Sequence, residues 1–343
     1  MIRTVDQSVD LLGHSTPALL PFQPVGRILT LPPLELKPSM NLPPWEEVVA
    51  AVTQVALPAF FTAAALVLVG RWHRATAPWA ALLALVMGFM VGNQARGGWN
   101  FAIGPEEFSL QNLYNGLLAT LGSLEESTPT HSIKPPPART WLPYLVLLAL
   151  LVDQLGRGLP VRVGWRVRDL VALSAGFLLG RSPVAILGLT VLILALWEAL
   201  ESLAEQTGLL VPTCLSLTFA VAAVVLLHAH SASLTDCATA LSAALGGIAV
   251  ASLGRGQARG CYAGVAVALP GLLWVGQQTT SSELPAYVFA LVAVAPLCLP
   301  LGLLPWGGKQ RAGLRWGLAC GLTGLVLSLA LGLTVASESL PEW

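Results

Sequence analysis

The charged residues with the most informative spacing lie beside two apolar stretches in the middle of the chain. Glu198 and Glu201 are three residues apart, so both carboxylates fall on one face of a helix. Asp153 lies at the end of an earlier apolar stretch, and Arg166 and Arg168 lie in the basic segment that follows it. Carboxylates and guanidinium groups form strong, charge-assisted hydrogen bonds. The spacing therefore predicts an ion-pair cluster in which Arg166 or Arg168 neutralises Glu198 and Glu201.

This predicted cluster has a functional and a structural interpretation. In the functional interpretation, the carboxylates relay protons or cations, or the arginines bind an anion. In the structural interpretation, which the pattern favours, a helix end extends into water and its charges pair there. No carboxylate falls in the middle of an apolar stretch, which argues against an ion-coupled pump.

Other reactive residues give weaker patterns. His228 and His230 precede Asp236, but histidines two residues apart do not have the spacing of metal ligands on a helix, so we expect no metal site. No cysteine belongs to a CxxC pair, and we expect small packing residues. The five cysteines are Cys214, Cys237, Cys261, Cys298 and Cys320. The chain has no GxSxG, HExxH or P-loop motif, so we expect no catalytic residue and no cofactor, and an enzyme is the least supported class.

The composition excludes a soluble domain. The 343 residues are 55% hydrophobic and only 10% charged, with a mean hydropathy of +0.72. Soluble domains carry about 25% charged residues because water must solvate their surface. The formal net charge of zero gives no overall attraction to nucleic acid. We therefore predict a protein whose main partner is the lipid bilayer and which does not bind nucleic acid.

Apolar stretches of suitable length recur along the chain and predict an all-α, polytopic bundle of about ten transmembrane helices. The stretches are 46–70, 77–95, 141–156, 167–181, 183–204, 209–230, 234–253, 260–276, 284–304 and 314–336. The fourth is the weakest, because only eleven uncharged residues separate Asp169 from Arg181. Whether it spans fully, tilts or re-enters the membrane is left open by the sequence.

Basic residues indicate the orientation of this bundle. Cytoplasmic loops carry an excess of Lys and Arg. Eleven of the eighteen basic residues lie in the gaps after the first, third, seventh and ninth stretches: Arg71, Arg74, Arg157, Arg162, Arg166, Arg168, Arg255, Arg259, Lys309, Arg311 and Arg315. We therefore predict that both termini are extracytoplasmic, in the cytoplasmic (inner) membrane of a bacterial-type cell. The gap after the fifth stretch, with Glu198, Glu201 and Glu205, is the exception.

Two regions lie outside the predicted bundle, which covers 45–343. Residues 1–44 contain eight prolines and predict an irregular tail. Residues 97–140 form an extracytoplasmic loop in this topology. Within that loop, apolar residues recur at helical spacing and predict an amphipathic helix at the membrane surface. These residues are Phe108, Leu110, Leu113, Tyr114, Leu117, Leu118, Leu121 and Leu124.

Small residues on the tenth stretch have the spacing of helix-packing positions. Gly317 and Gly321 lie on one stripe, and Gly324 and Gly332 lie on a second. Such stripes allow two backbones to approach closely in a membrane. We expect them to pack within the chain rather than against another subunit, so that a large residue at Gly324 would be disruptive. The seventh and eighth stretches carry similar residues: Ala243, Gly247 and Ala251, and Gly260, Gly264 and Ala268.

The sequence supports two functional classes almost equally, a permease and an accessory subunit. A permease for a small solute is supported by the number of helices and by the prolines within them, and is narrowly preferred because proteins with this many helices commonly transport something. Those prolines are Pro58, Pro270, Pro296 and Pro300. The alternative is a non-catalytic structural or accessory subunit of a larger membrane protein complex. The lack of buried charge and the stripes of small residues support that alternative, which implies other membrane subunits as partners.

Overall fold

The computed structural model describes residues 49–70, 77–94, 138–158, 160–180, 182–204, 209–252, 258–279, 284–303 and 312–339. These residues are helical or lie in short turns, and no strand occurs among them. The all-helical fold class is therefore confirmed for the described part of the chain. The predicted tail (1–44) and the predicted amphipathic helix of the 97–140 loop lie outside these ranges and stay predictions.

Ten helices follow one another within the described residues, and each coincides with one of the ten predicted apolar stretches. They are α1 (Ala51–Gly70), α2 (Ala77–Gln94), α3 (Ala138–Gly156), α4 (Val161–Leu179), α5 (Pro183–Leu203), α6 (Leu210–His228), α7 (Ala232–Ala251), α8 (Tyr262–Thr279), α9 (Ala286–Leu303) and α10 (Ala312–Ser339). The start of α5 is capped, because the Ser182 hydroxyl accepts a hydrogen bond from the Ala185 N–H and Pro183 opens the helix.

Six of the described helices are long and apolar enough to cross a bilayer: α1, α5, α6, α7, α9 and α10. Shorter apolar segments lie within α2 and α3, at Trp79–Gly92 and Leu142–Gly156. Helices of this length and hydropathy indicate a membrane-embedded protein. A total of ten spans, and the orientation of the termini, stay predictions.

Two of these spans are not regular α-helices, and prolines explain both departures. The first residues of α1, Ala51–Ala56, are π-helical and end just before Pro58. In α9 the α-helix Ala286–Val294 continues as a 3₁₀ helix, Ala295–Leu303, which contains Pro296 and Pro300. Proline lacks the N–H that an α-helix needs and its ring clashes with the preceding turn, so the hydrogen-bond pattern shifts.

The weak fourth stretch is a 19-residue helix, and it begins at Val161 rather than at 167. Its first three turns carry the charged residues that lowered the hydropathy of this segment, including Arg166, Arg168 and Asp169. Arginine has a high helix propensity, so such charges do not interrupt a helix. The early start of α4 extends the helix towards the carboxyl end of α5 and thereby positions the charged site.

The central helix of the described bundle is α8, which packs against α3, α4, α5, α6, α7 and α9. Every residue from Cys261 to Leu273 is buried. By contrast, α10 lies at the edge and packs mainly against α9 and α6. It buries one stripe, formed by Ala319, Thr323, Leu327, Ala330 and Thr334. The two threonine hydroxyls donate to carbonyls of their own helix, so neither hydroxyl is left unpaired on this face.

Candidate functional site

A cluster of charged side chains joins α4 to α5 at the end where α5 finishes. Arg168 Nη1 lies 3.4 Å from Glu198 Oε2, and Arg168 Nη2 contacts Glu201 Oε2. The guanidinium carbon of Arg168 lies 5.6 Å from the centre of the Trp197 ring, which is a cation–π distance. Trp197 and Glu201 are four residues apart on α5, so one arginine reaches an aromatic face and a carboxylate on the same side of that helix.

A second ion pair closes the end of α3. Arg157 Nη2 lies 2.6 Å from Asp153 Oδ2, and Arg157 Nη1 lies 3.3 Å from Gln154 Oε1. Asp153 is buried, with only 7% of its surface exposed. Asp153 lies within electrostatic range of Glu201 and Arg168. The ends of α3, α4 and α5 therefore carry two neighbouring sets of ion pairs, which together form the charged network.

The structure brings Asp153, Arg168, Glu198 and Glu201 together and leaves Arg166 apart. Arg166 is exposed, and no carboxylate of the described residues pairs with it. Glu205, the third glutamate of the spacing pattern, lies outside the described residues. Both terminal nitrogens of Arg168 contact carboxylates, so the charge of this arginine is compensated and its attraction for an anionic solute is reduced. Pairing of this kind can hold helices together, and it gives the structural interpretation more support than the relay.

Beside the network, a cleft of about 290 Å³ opens between α4 and α5. It is lined by Trp165, Arg168, Asp169, Leu194, Trp197 and Glu198. Trp165 is 54% exposed, and the side chain of Glu198 is 59% exposed, so the cleft opens at the protein surface. Sequence reasoning missed Trp165, Asp169 and Trp197. The signal available was the four-residue spacing of Trp165 and Asp169, which puts both on one face of a helix.

A second cavity of the described bundle differs from this cleft in its lining. An apolar cavity of about 40 Å³ lies between α2, α3, α7 and α8, with Leu85, Phe89, Leu142 and Leu272 among its lining residues. All of its lining side chains are apolar. This apolar cavity therefore does not provide a path for a polar solute through the described core.

Four buried threonine hydroxyls in the described bundle are used by the helices themselves, whereas the buried Ser252 hydroxyl has no hydrogen-bond partner among the described residues. Thr190 donates to the Ile186 carbonyl at 2.8 Å, and Thr218 donates to the Cys214 carbonyl at 2.9 Å. Ser216 of α6 and Ser242 of α7 each donate to the other's backbone carbonyl at 2.7 Å. These groups stabilise helices and helix pairs and leave few polar atoms in the described core for a solute.

The histidines and cysteines of the described residues make local contacts. No group of three or more His, Cys, Asp or Glu side chains in the described part of the chain converges to hold a metal ion. His228 Nδ1 lies 2.8 Å from the Val224 carbonyl oxygen, a contact within its own helix. The cysteines are free thiols, and Cys214 Sγ of α6 lies 3.6 Å from Cys320 Sγ of α10. That contact helps to define how α10 lies on the bundle.

A second candidate surface is the glycine stripe of α10. No atom lies within 4 Å of the position that a Cβ would take at Gly317, Gly321, Gly324 or Gly332. The expected packing of these glycines within the chain is therefore not found among the described residues. The spacing of small residues identifies faces of α10 that another helix could approach closely. It does not show which of these faces the rest of the bundle covers. The face with Ala319 and Thr323 is the covered one.

Comparison of the chain with protein-family models, with curated proteins and with solved structures finds no match. Two features of the described residues thus bear on function. One is the charged network with its cleft at α4 and α5, and the other is the uncovered glycine stripe of α10.

Proposed function

We propose that this protein is a non-catalytic structural or accessory subunit of a larger membrane protein complex, and that α10 contacts the partner. The uncovered glycine stripe carries the proposal. Each glycine inside a helix costs about 1 kcal/mol relative to alanine. Close approach of another helix offsets that cost in a membrane, and the described bundle supplies no such neighbour at Gly317, Gly321 or Gly324.

The charged network supports the same proposal. Arg168 is satisfied by two carboxylates and an aromatic ring, and Arg157 is satisfied by Asp153 and Gln154. The Arg168 pairs hold α4 against α5, and the Arg157 contacts stay within the end of α3. A relay would instead need a carboxylate that gains and loses a proton along a hydrated path, and the cavity between α2, α3, α7 and α8 is apolar and offers none.

The experiment is extraction of the protein from its native membrane in mild detergent, followed by measurement of particle mass and composition. A large particle with other defined polypeptides is the expected result. Gly321→Ile should release those polypeptides, because a branched side chain prevents close approach. Leu322→Ile is the matched control and should retain them, since Leu322 is exposed but adjacent in sequence to Gly321 and so points to a different side of α10. A lone monomer from the native membrane would overturn the proposal.

A permease for a small solute is the second candidate, and the cleft between α4 and α5 is the observation that favours it. Asp169 and Glu198 are exposed carboxylates at its mouth. For a permease, purified protein in vesicles should take up solute, and Glu198→Gln should slow that uptake without loss of folding. The helix number favours the permease, whereas the apolar core of the described bundle supports the subunit.

We also propose that both termini are extracytoplasmic and that the protein lies in the cytoplasmic membrane of a bacterial-type cell. The distribution of basic residues supports this orientation. Cysteines introduced as His131→Cys or His230→Cys should react with an impermeant maleimide added outside, whereas Val163→Cys and Arg311→Cys should not. The reverse labelling pattern would contradict the orientation.

A further inference from the structure

The cleft between α4 and α5 has an excess of negative charge. Its lining contributes one cation, Arg168, and two anions, Asp169 and Glu198. Arg168 is shared with a third carboxylate, that of Glu201, outside the cleft. Asp169 is exposed and has no ion-pair partner among the described residues. The carboxylates at the mouth of the cleft therefore favour a cationic ligand.

The exposed indole ring of Trp165 makes this cleft suited to an organic cation rather than to a bare metal ion. Trp197 is buried and already has the Arg168 guanidinium over its ring. Trp165 is 54% exposed and offers its surface at the mouth of the cleft. Aromatic faces beside carboxylates attract ammonium groups through the ring quadrupole and through charge. The volume of about 290 Å³ is close to the lower end of the range of roughly 300–1,000 Å³ for small-molecule pockets.

The surface next to the cleft is apolar and continues along the same helix faces. On α4, Leu173 follows Trp165 and Asp169 at four-residue spacing and is 52% exposed. On α5, Val191 and Leu187 precede Glu198 on one face and are 56% and 66% exposed. An exposed apolar strip that ends at charged and indole side chains is typical of the boundary between hydrocarbon and headgroups. The strip gives acyl chains a place beside the cleft.

We propose that this cleft binds the ammonium headgroup of a phospholipid, with the ammonium between Asp169, Glu198 and Trp165 and the acyl chains on the apolar strip. Arg166 is exposed and three residues before Asp169, so it is a neighbour on the helix surface and is available for the lipid phosphate. The headgroup class is that of phosphatidylethanolamine. This inference does not depend on the partner proposed for α10.

The test uses the full-length protein, purified and stripped of lipid in detergent, with lipid binding measured by native mass spectrometry. Phosphatidylethanolamine should bind more tightly than phosphatidylglycerol, which has no ammonium group. Asp169→Asn and Trp165→Leu should each weaken phosphatidylethanolamine binding by roughly tenfold. Trp79→Leu is the matched control, because Trp79 is an exposed tryptophan of α2 outside the cleft, and it should bind as wild type does.

Three results would overturn the inference. Equal binding of phosphatidylglycerol would show that the ammonium group is not recognised. Unchanged phosphatidylethanolamine binding in both Asp169→Asn and Trp165→Leu would remove the cleft as the site. Binding of free phosphoethanolamine as tightly as the intact lipid would mean that the acyl chains contribute nothing and that the ligand is a soluble ammonium compound. Because Asp169 and Trp165 are exposed, both variants should fold, and a thermal scan of each checks this.

Discussion

α7 and α10 are both long apolar helices with a stripe of small residues, yet the structure uses the two stripes differently. On α7, a Cβ added at Gly247 would lie 2.4 Å from the carbonyl oxygen of Phe60 in α1. On α10, the same addition at Gly321 or Gly324 meets nothing within 4 Å. In the most apolar 18 residues of each helix, 67% are buried in α7 and 28% in α10.

The difference shows that a stripe of small residues allows another helix to pack closely against it. The stripe does not determine which helix that is. α7 is enclosed by α1, α2 and α6, so its glycine is matched by a backbone already in place. α10 has one side on α9 and α6 and leaves its glycines uncovered in the described structure. If α10 belongs to an interface with another subunit, substitution of its glycines should leave the isolated protein stable. The same substitutions should weaken assembly with that subunit.

The largest effect is expected for Gly247→Ala. The added methyl group would meet the backbone of α1, which cannot rotate away as a side chain can, so the two helices must separate. We expect a loss of about 3 kcal/mol in the free energy of unfolding, at the upper end of overpacking costs. Thermal unfolding in detergent measures this, and unchanged stability would show that α1 and α7 do not pack closely.

A smaller loss in the free energy of unfolding is expected for Trp274→Phe, and this variant tests the role of α8 as the central helix. The indole Nε1–H of Trp274 donates to the carbonyl oxygen of Leu179 at 3.0 Å and so holds the end of α4. Phenylalanine keeps most of the apolar contact but leaves that carbonyl without its donor. We expect a loss of about 1–2 kcal/mol, measured by chemical unfolding. A wild-type unfolding curve would argue against the contact between α8 and α4.

The two glutamates of the charged network should differ when each is changed to glutamine. The side chain of Glu201 is 28% exposed and contacts Arg168, whereas that of Glu198 is 59% exposed and lies 3.4 Å away. Glu201→Gln should cost about 1 kcal/mol and Glu198→Gln no more than about 0.5 kcal/mol, because solvent screens the second pair. Parallel unfolding curves measure both, and misfolding of either variant would indicate a buried ion pair instead.

The smallest effect on stability is expected at Gly321→Ala, the counterpart of Gly247→Ala on the outer stripe. With no neighbouring atom within 4 Å, the methyl group should cost nothing in packing. Alanine is the better helix former, so a gain of less than about 1 kcal/mol is the expected change. A marked loss of stability in the purified monomer would mean that the chain itself covers this face.

Hydropathy was sufficient to locate the helices, because each must present apolar side chains over its length to lipid or to neighbours. It was less reliable at α4, whose true start at Val161 is hidden by charges that lower hydropathy without breaking a helix. The predicted cluster offered Arg166 and Arg168 as alternatives. The structure pairs Arg168 with α5, because residues two apart lie on different sides of a helix and only one side faces α5.

By itself, the sequence determined the helical class, the order of the ten described helices and the acidic spacing of Glu198 and Glu201, because these depend on local composition and periodicity. Only the tertiary structure decided that α8 is central, that α10 is peripheral, and that Trp165 and Asp169 line a cleft with Glu198. Periodicity defines the faces of one helix. Which faces meet depends on packing between residues far apart in the chain, where several arrangements satisfy the same pattern.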